Sequence, residues 1–128
     1  MVYYSRDIYE GEWEGDKKNG LGRYQFIKDS LGVYVGEYNE DKRTGKGRFY
    51  DKLKDEMYEG DWSADKRNGE GTLVKRATCE VLSGDFRNDV FEGKYRFEKT
   101  LGSEQVDRYF RQALKDNERF IFARFAPV

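Results

Sequence analysis

Four carboxylates recur at one place in the chain: Glu12, Glu37, Asp61 and Asp85. Bases recur beside them at Arg23, Arg48 and Arg96, with Thr72 in the third set. Paired carboxylates are the raw material of acid–base hydrolysis. That chemistry needs an enclosed site that drives two pKa values apart, and these residues read as the face of an open sheet. The spacing therefore predicts cross-strand ion pairs. Other catalytic sets are missing. The chain has no His, which removes Ser-His-Asp, Cys-His and imidazole–metal chemistry. A lone Cys79 gives neither an internal disulfide nor a thiolate zinc site, and reads as an ordinary thiol of a reducing compartment. Asn19-Gly20-Leu21-Gly22 opens a strand rather than a helix, so it is no phosphate loop. The expectation is a non-enzyme with no cofactor and no metal.

Two binding features remain. A charge motif recurs as Asp16-Lys17-Lys18, Asp41-Lys42-Arg43 and Asp65-Lys66-Arg67, with Asn88-Asp89-Val90 in the fourth place. Stacked in register, Lys17, Lys18, Lys42, Arg43, Lys66 and Arg67 would form a basic rim able to meet anionic head groups or an acidic partner. The neighbouring acids cancel much of that field, and ordinary solvated turns are the competing reading. An aromatic row, Tyr9, Trp13, Tyr34, Tyr38, Tyr58, Trp62 and Phe86, either holds the elements together or lines a groove for a peptide or helix.

The elements that position these residues follow from a repeat. Tyr9-Glu10-Gly11-Glu12-Trp13 returns as Tyr34-Val35-Gly36-Glu37-Tyr38 and Tyr58-Glu59-Gly60-Asp61-Trp62, and more weakly as Leu82-Ser83-Gly84-Asp85-Phe86. Seven residues after each terminal aromatic stands Gly20, Gly45, Gly69 or Gly93. Gly22, Gly47 and Gly71 follow two residues later, and Tyr95 takes that place in the fourth copy. The period within a unit is two, which is that of strands. Each unit predicts a β-hairpin whose register sets Tyr9 on Tyr24, Glu10 on Arg23, Gly11 on Gly22, Glu12 on Leu21 and Trp13 on Gly20. The same register sets Tyr34 on Phe49 and Tyr38 on Gly45, then Tyr58 on Leu73 and Trp62 on Gly69. Aromatics lying over cross-strand glycines stabilise sheets. Single hairpins are not stable, so the units must stack into one quasi-one-dimensional array, with residues 1–102 forming the repeats (9–33, 34–57, 58–81 and 82–102).

The ends differ. Met1-Val2-Tyr3-Tyr4 reads either as a frayed strand or as an open edge for dimerisation or docking. Residues 103–128 change character. Val106, Tyr109, Phe110, Ala113 and Leu114 follow helical spacing, with Ser103 as N-cap and Asn117 as stop. Phe120, Phe122 and Phe125 lie on an apolar tail. The helix either caps the last repeat, as solenoids require, or inserts with the tail into a partner.

Composition agrees. The 128 residues carry 24 bases and 25 acids, a net charge of −1, without the basic surplus of a nucleic-acid binder. Charged residues (38%) outnumber hydrophobic ones (37%), yet 16% are aromatic, which points to many small apolar contacts rather than disorder. The longest apolar runs are four residues, as in Phe120-Ile121-Phe122-Ala123, which argues against a membrane-spanning helix or a signal peptide.

The pattern Tyr-x-Gly-x-Trp followed by Asn-Gly-x-Gly resembles the MORN repeat. The first and third copies fit closely. The second departs at Tyr38 and Thr44, and the fourth at Leu82, Phe86, Glu92 and Tyr95. The resemblance implies a mainly β, single-layer array of antiparallel hairpins, with Gly11, Gly36, Gly60 and Gly84 among its signature glycines. It also implies a structural or adaptor role in cytoskeletal or ciliary assemblies inside the cell, where the array binds helices or pairs end to end as a homodimer. Binding of anionic membranes is the alternative that the family implies.

Overall fold

The structure, a computed structural model, describes residues 1–3, 6–27, 32–92, 97–100 and 102–118, without the side chains of 97–100, 117 and 118. Its strands are β1 (Ile8–Glu14), β2 (Lys17–Phe26), β3 (Gly32–Asn39), β4 (Lys42–Asp51), β5 (Glu56–Ser63), β6 (Lys66–Lys75), β7 (Glu80–Arg87), β8 (Val90–Phe91) and β9 (Phe97–Thr100), followed by helix α1 (Ser103–Glu118). The strands form one antiparallel sheet in sequence order from β1 to β8, and β9 also pairs with β7. Both β8 and β9 pair with β7 as its partners in the fourth hairpin. Gly93, Tyr95 and Arg96 lie outside the described residues.

Two-residue turns close the four hairpins. Glu40 and Asp41, Ala64 and Asp65, and Asn88 and Asp89 all have positive φ, and Gly15 (φ +63°) opens the first turn. Turns with both central residues at positive φ match the twist of the flanking strands.

These turns correct half of the expected register. The pairs Tyr9↔Tyr24, Glu10↔Arg23 and Gly11↔Gly22 are as expected, as are Tyr34↔Phe49 and Tyr58↔Leu73. Beyond them the ladder slips. Trp13 pairs with Lys18, Tyr38 with Arg43 and Trp62 with Arg67, not with Gly20, Gly45 and Gly69. Between the matched glycines and the turn, β1 supplies Glu12 alone while β2 supplies Asn19, Gly20 and Leu21. The surplus forms a bulge. Gly20 (φ +96°), Gly45 (φ +58°) and Gly69 (φ +116°) occupy it in a backbone region that favours glycine. These glycines pair forward instead, to the next repeat: Gly20↔Tyr38, Gly45↔Trp62 and Gly69↔Phe86.

One face of the sheet carries the aromatic row. Its rings meet edge to face within repeats, as in Tyr34–Tyr38 at 5.2 Å, and between them: Tyr9–Tyr38 at 5.5 Å, Tyr34–Trp62 at 5.3 Å and Tyr58–Phe86 at 4.9 Å. This is the favoured geometry for ring quadrupoles.

The other face carries a second core. Met57, Val74 and Val81 pack against Val106, Phe110 and Ala113 of α1, with Tyr109 and Leu114 alongside. The helix is therefore not an end cap on the last repeat. It lies across the face opposite the aromatic row, because that face holds the aliphatic patch matching its stripe. Its first turn is capped by Gly102 rather than Ser103: Gln105 Oε1 accepts the Gly102 N–H at 3.2 Å, and the Gly102 carbonyl accepts the Val106 N–H at 3.1 Å. The helix continues through Asn117 to Glu118. Phe120, Phe122 and Phe125 lie outside the described residues.

At the other end the chain folds back. Val2 bridges Ile8, Met1 accepts the Tyr9 N–H at 2.8 Å, and the terminal ammonium donates to the Tyr9 carbonyl. The N-terminal segment thus covers β1 at Ile8 and Tyr9.

Candidate binding surface

Each of the first three repeats builds the same seat. The Tyr34 ring lies flat over Gly47: a Cβ there would stand 2.3 Å from the Tyr34 hydroxyl and 2.5 Å from the ring. Gly22 under Tyr9 and Gly71 under Tyr58 are equally tight. The hydroxyl then donates to the carbonyl three residues on: Tyr9 to Glu12 (2.8 Å), Tyr34 to Glu37 (2.9 Å) and Tyr58 to Asp61 (2.8 Å). Burial pushes the Tyr9 phenol up to about 12, and raises Tyr34 and Tyr58 further.

The carboxylate column has a backbone role that sequence reasoning missed. Glu12 accepts the Leu21 N–H at 2.6 Å, Glu37 the Lys46 N–H at 2.6 Å, and Asp61 the Glu70 N–H at 3.0 Å. Each carboxylate satisfies a donor that the bulge removes from the ladder. Of the four carboxylates, Asp61 alone is ion-paired among the described residues, to Lys46 across the seam, while Arg23 and Arg48 pair with Glu10 and Glu59 instead. The expectation of a column held by cross-strand pairs is corrected accordingly.

The basic rim is also divided. Lys17, Lys42 and Lys66 are exposed. Lys18, Arg43 and Arg67 turn inward over the aromatic rings of the next repeat: Lys18 over Tyr38 at 5.4 Å, Arg43 over Trp62 at 4.6 Å and Arg67 over Phe86 at 5.5 Å. The next turn locks each one. Asp41 accepts the Lys18 N–H at 2.8 Å and Asp89 the Arg67 N–H at 2.8 Å. Asp65 takes both the Arg43 N–H (3.2 Å) and Nε (2.7 Å). Burial alone would raise the Asp65 carboxyl, but Arg43 holds it below its ordinary value.

The aromatic row is consequently an interior. Tyr9, Tyr34, Tyr38, Tyr58, Trp62 and Phe86 are buried, and only Trp13 is exposed, at 39%. Towards its middle the face offers outward a groove of about 280 Å³ between Phe26, Phe49, Leu73 and Trp62, flanked by Arg43 and Arg67. Phe26 shares the parity of Tyr24, so an extension of the period-two pattern would have found it.

A buried polar cluster fastens α1 to the opposite face. Arg48 Nε lies 3.3 Å from Glu59, Arg48 Nη1 donates to the Ala113 carbonyl at 2.9 Å, and the Tyr109 hydroxyl donates to Glu59. Burial pushes the Glu59 carboxyl up to about 8 against the pull of Arg48. Outside it, Arg76 pairs with Asp107 at 3.1 Å and covers Phe110 at 5.2 Å. Glu59 follows from the sequence only once Gly47 is known to oppose Gly60, which places it across from Arg48.

Fold and surface define a class: an open, single-layer β-hairpin repeat array with its aromatic side closed on itself. The family model of the MORN repeat matches residues 9–30, 34–52 and 58–76, so these three segments are MORN repeats. No curated protein matches the chain. No described helix is long and apolar enough to cross a membrane.

Proposed function

We propose that the chain is a non-catalytic adaptor that binds other proteins through the aromatic side of its sheet, within a cytoskeletal or ciliary assembly inside the cell. The observation that carries this reading is the groove flanked by Phe26, Phe49 and Leu73. It lies on the side α1 leaves open, and it combines partly exposed rings with two guanidinium groups held in place. Aromatic and arginine groups in a shallow recess are the usual anchors of protein interfaces. The cytoskeletal or ciliary setting rests on the MORN family alone.

The membrane alternative needs the full basic rim. With Lys18, Arg43 and Arg67 turned inward, only Lys17, Lys42 and Lys66 remain for head groups, on a chain of net charge −1. Stable anchoring by electrostatics takes a denser cluster.

The test is affinity purification of the C-terminally tagged chain from its own cells, beside a Phe26→Ser/Phe49→Ser variant shown to be folded by circular dichroism. Cytoskeletal or axonemal proteins held stoichiometrically by the parent and lost from the variant are the expected result. A folded variant that retains the same proteins overturns the groove reading. A parent that holds no protein and floats with anionic liposomes favours the membrane instead.

A further inference from the structure

Three seams between repeats are built alike. Each joins an aromatic of one hairpin to a strand of the hairpin before it. Tyr38, Trp62 and Phe86 sit opposite Gly20, Gly45 and Gly69, under the cationic head of Lys18, Arg43 or Arg67. The Trp62 indole N–H donates to the Gly47 carbonyl at 3.1 Å. The turn aspartate accepts the N–H of the basic residue and returns its own N–H to that residue's carbonyl, at 3.0 Å for Asp41 and Asp65 and 2.9 Å for Asp89. Enclosed this way, the three aromatics are 5%, 5% and 3% exposed.

Trp13 and Asp16 occupy the same positions in the first hairpin, on the outer side of the sheet. Trp13 is 39% exposed, and neither its indole N–H nor the Asp16 carboxylate has a partner among the described residues. Beside them a recess of about 560 Å³ is lined by Met1, Tyr3, Trp13, Gly15, Asp16 and Lys18. Met1 meets the β1 edge at Tyr9, whose N–H and carbonyl both point to it. Antiparallel alternation turns the same groups of Gly11 and Trp13 outward on that edge. The first hairpin therefore presents one half of a seam.

We propose that this half-seam is a β-augmentation site for an extended segment of another protein carrying Arg or Lys, then any residue, then Gly. In the seated strand the basic residue's N–H and side chain meet Asp16 and its cation covers Trp13. The glycine lies under the indole, and a carbonyl two residues on accepts the indole N–H. Main-chain bonds to Gly11 and Trp13 supply affinity, as in other strand-addition complexes. A second copy of this chain fits poorly. Two β1 edges would set Glu10, Glu12 and Glu14 against one another, and like charges across strands repel. The edge at the far end of the sheet puts Phe91, paired with Phe86, where the basic residue belongs.

The probe is a synthetic peptide with the sequence of Lys42–Asp51, the strand that seats Trp62, titrated into the full chain while Trp13 emission is followed in a Trp62→Phe background. Saturable binding with a blue shift is expected. It weakens at least tenfold with Trp13→Ala (read by calorimetry), with Asp16→Lys, and with a peptide carrying Gly45→Val. A peptide carrying Arg43→Glu fails on the parent and recovers on Asp16→Lys, a charge swap that mere stickiness would not reproduce. Absence of saturable binding overturns the proposal, as does binding indifferent to both Trp13 and Asp16. A parent that sediments as a dimer dissociated by Asp16→Lys overturns it in favour of a second copy. Phe26→Ser/Phe49→Ser leaves the peptide bound, so this site and the groove fail separately.

Discussion

Trp13 and Trp62 hold the same position in the first and third repeats, on the same face, each paired with a basic residue beside a two-residue turn. Trp62 is 5% exposed and Trp13 39%. What differs is the neighbour. Trp62 has Gly45, Gly47 and Arg43 of the preceding hairpin around it, whereas Trp13 stands on the outer strand. Burial in this fold belongs to the seam between repeats rather than to the repeat. This is the quasi-one-dimensional behaviour of stacked arrays, expressed here at single side chains.

The largest effect expected from this difference lies in the two tryptophans themselves. Trp62→Ala is expected to cost about 3–5 kcal/mol, the range for a large ring removed from a core, and Trp13→Ala under about 1 kcal/mol. Urea unfolding of both variants checks it, and equal losses would break the comparison.

Gly36→Val comes next. A Cβ at Gly36 would stand 2.5 Å from the Gly47 Cα and 2.7 Å from the Lys46 carbonyl oxygen. Neither is a flexible chain end, so the expected loss is about 3 kcal/mol, the upper part of the overpacking range. An unchanged melting temperature would show that the two glycines do not face each other.

Titration separates the two faces. Glu59 has its carboxyl raised from 4.5 to about 8 by burial under α1. Below 4.5 both folded and unfolded chains hold the proton. As pH rises towards 8 the unfolded chain releases it first, so this group's contribution to stability falls across that window. In Glu59→Gln, thermal melts from pH 4.5 to 8 are expected to lose that decline relative to the parent. Parallel curves for the two proteins would refute the assignment.

The smallest contrast lies within one turn. Arg43→Ala is expected to cost about 1–2 kcal/mol, since it removes charge-assisted hydrogen bonds to Asp65 and the cover of Trp62. Lys42→Ala, one residue away and exposed, is expected to stay within about 0.5 kcal/mol.

What the sequence made legible is what repeats. Tyr9 opposite Tyr24 and Gly11 opposite Gly22 follow from period two and from the return of the same residues in register. The bulge escaped because its extra residues lie on one strand only. The stretch from Glu14 to Asn19 can be read as a loop, or as a tight turn at Gly15-Asp16 followed by strand. Only the second reading moves Trp13 from Gly20 to Lys18 and hands the glycine to the next repeat. That single shift decides between the two readings of the aromatic row in favour of an interior, and it draws half of the basic rim inside. The helix face was opaque for a different reason. Arg48, Glu59 and Tyr109 occur together once, and the stripe Val106, Phe110 and Ala113 establishes amphipathicity without saying which side of a sheet will receive it.

The central claim is that the aromatic residues are enclosed by seams and that the first repeat lacks one. Acrylamide quenching of single-tryptophan variants tests it directly, with Trp13→Phe reporting Trp62 and Trp62→Phe reporting Trp13. Trp62 is expected to emit at short wavelength and resist quenching, and Trp13 to emit to the red and quench freely. Equal quenching of the two, or a Trp62 open to acrylamide in a folded chain, would contradict the account.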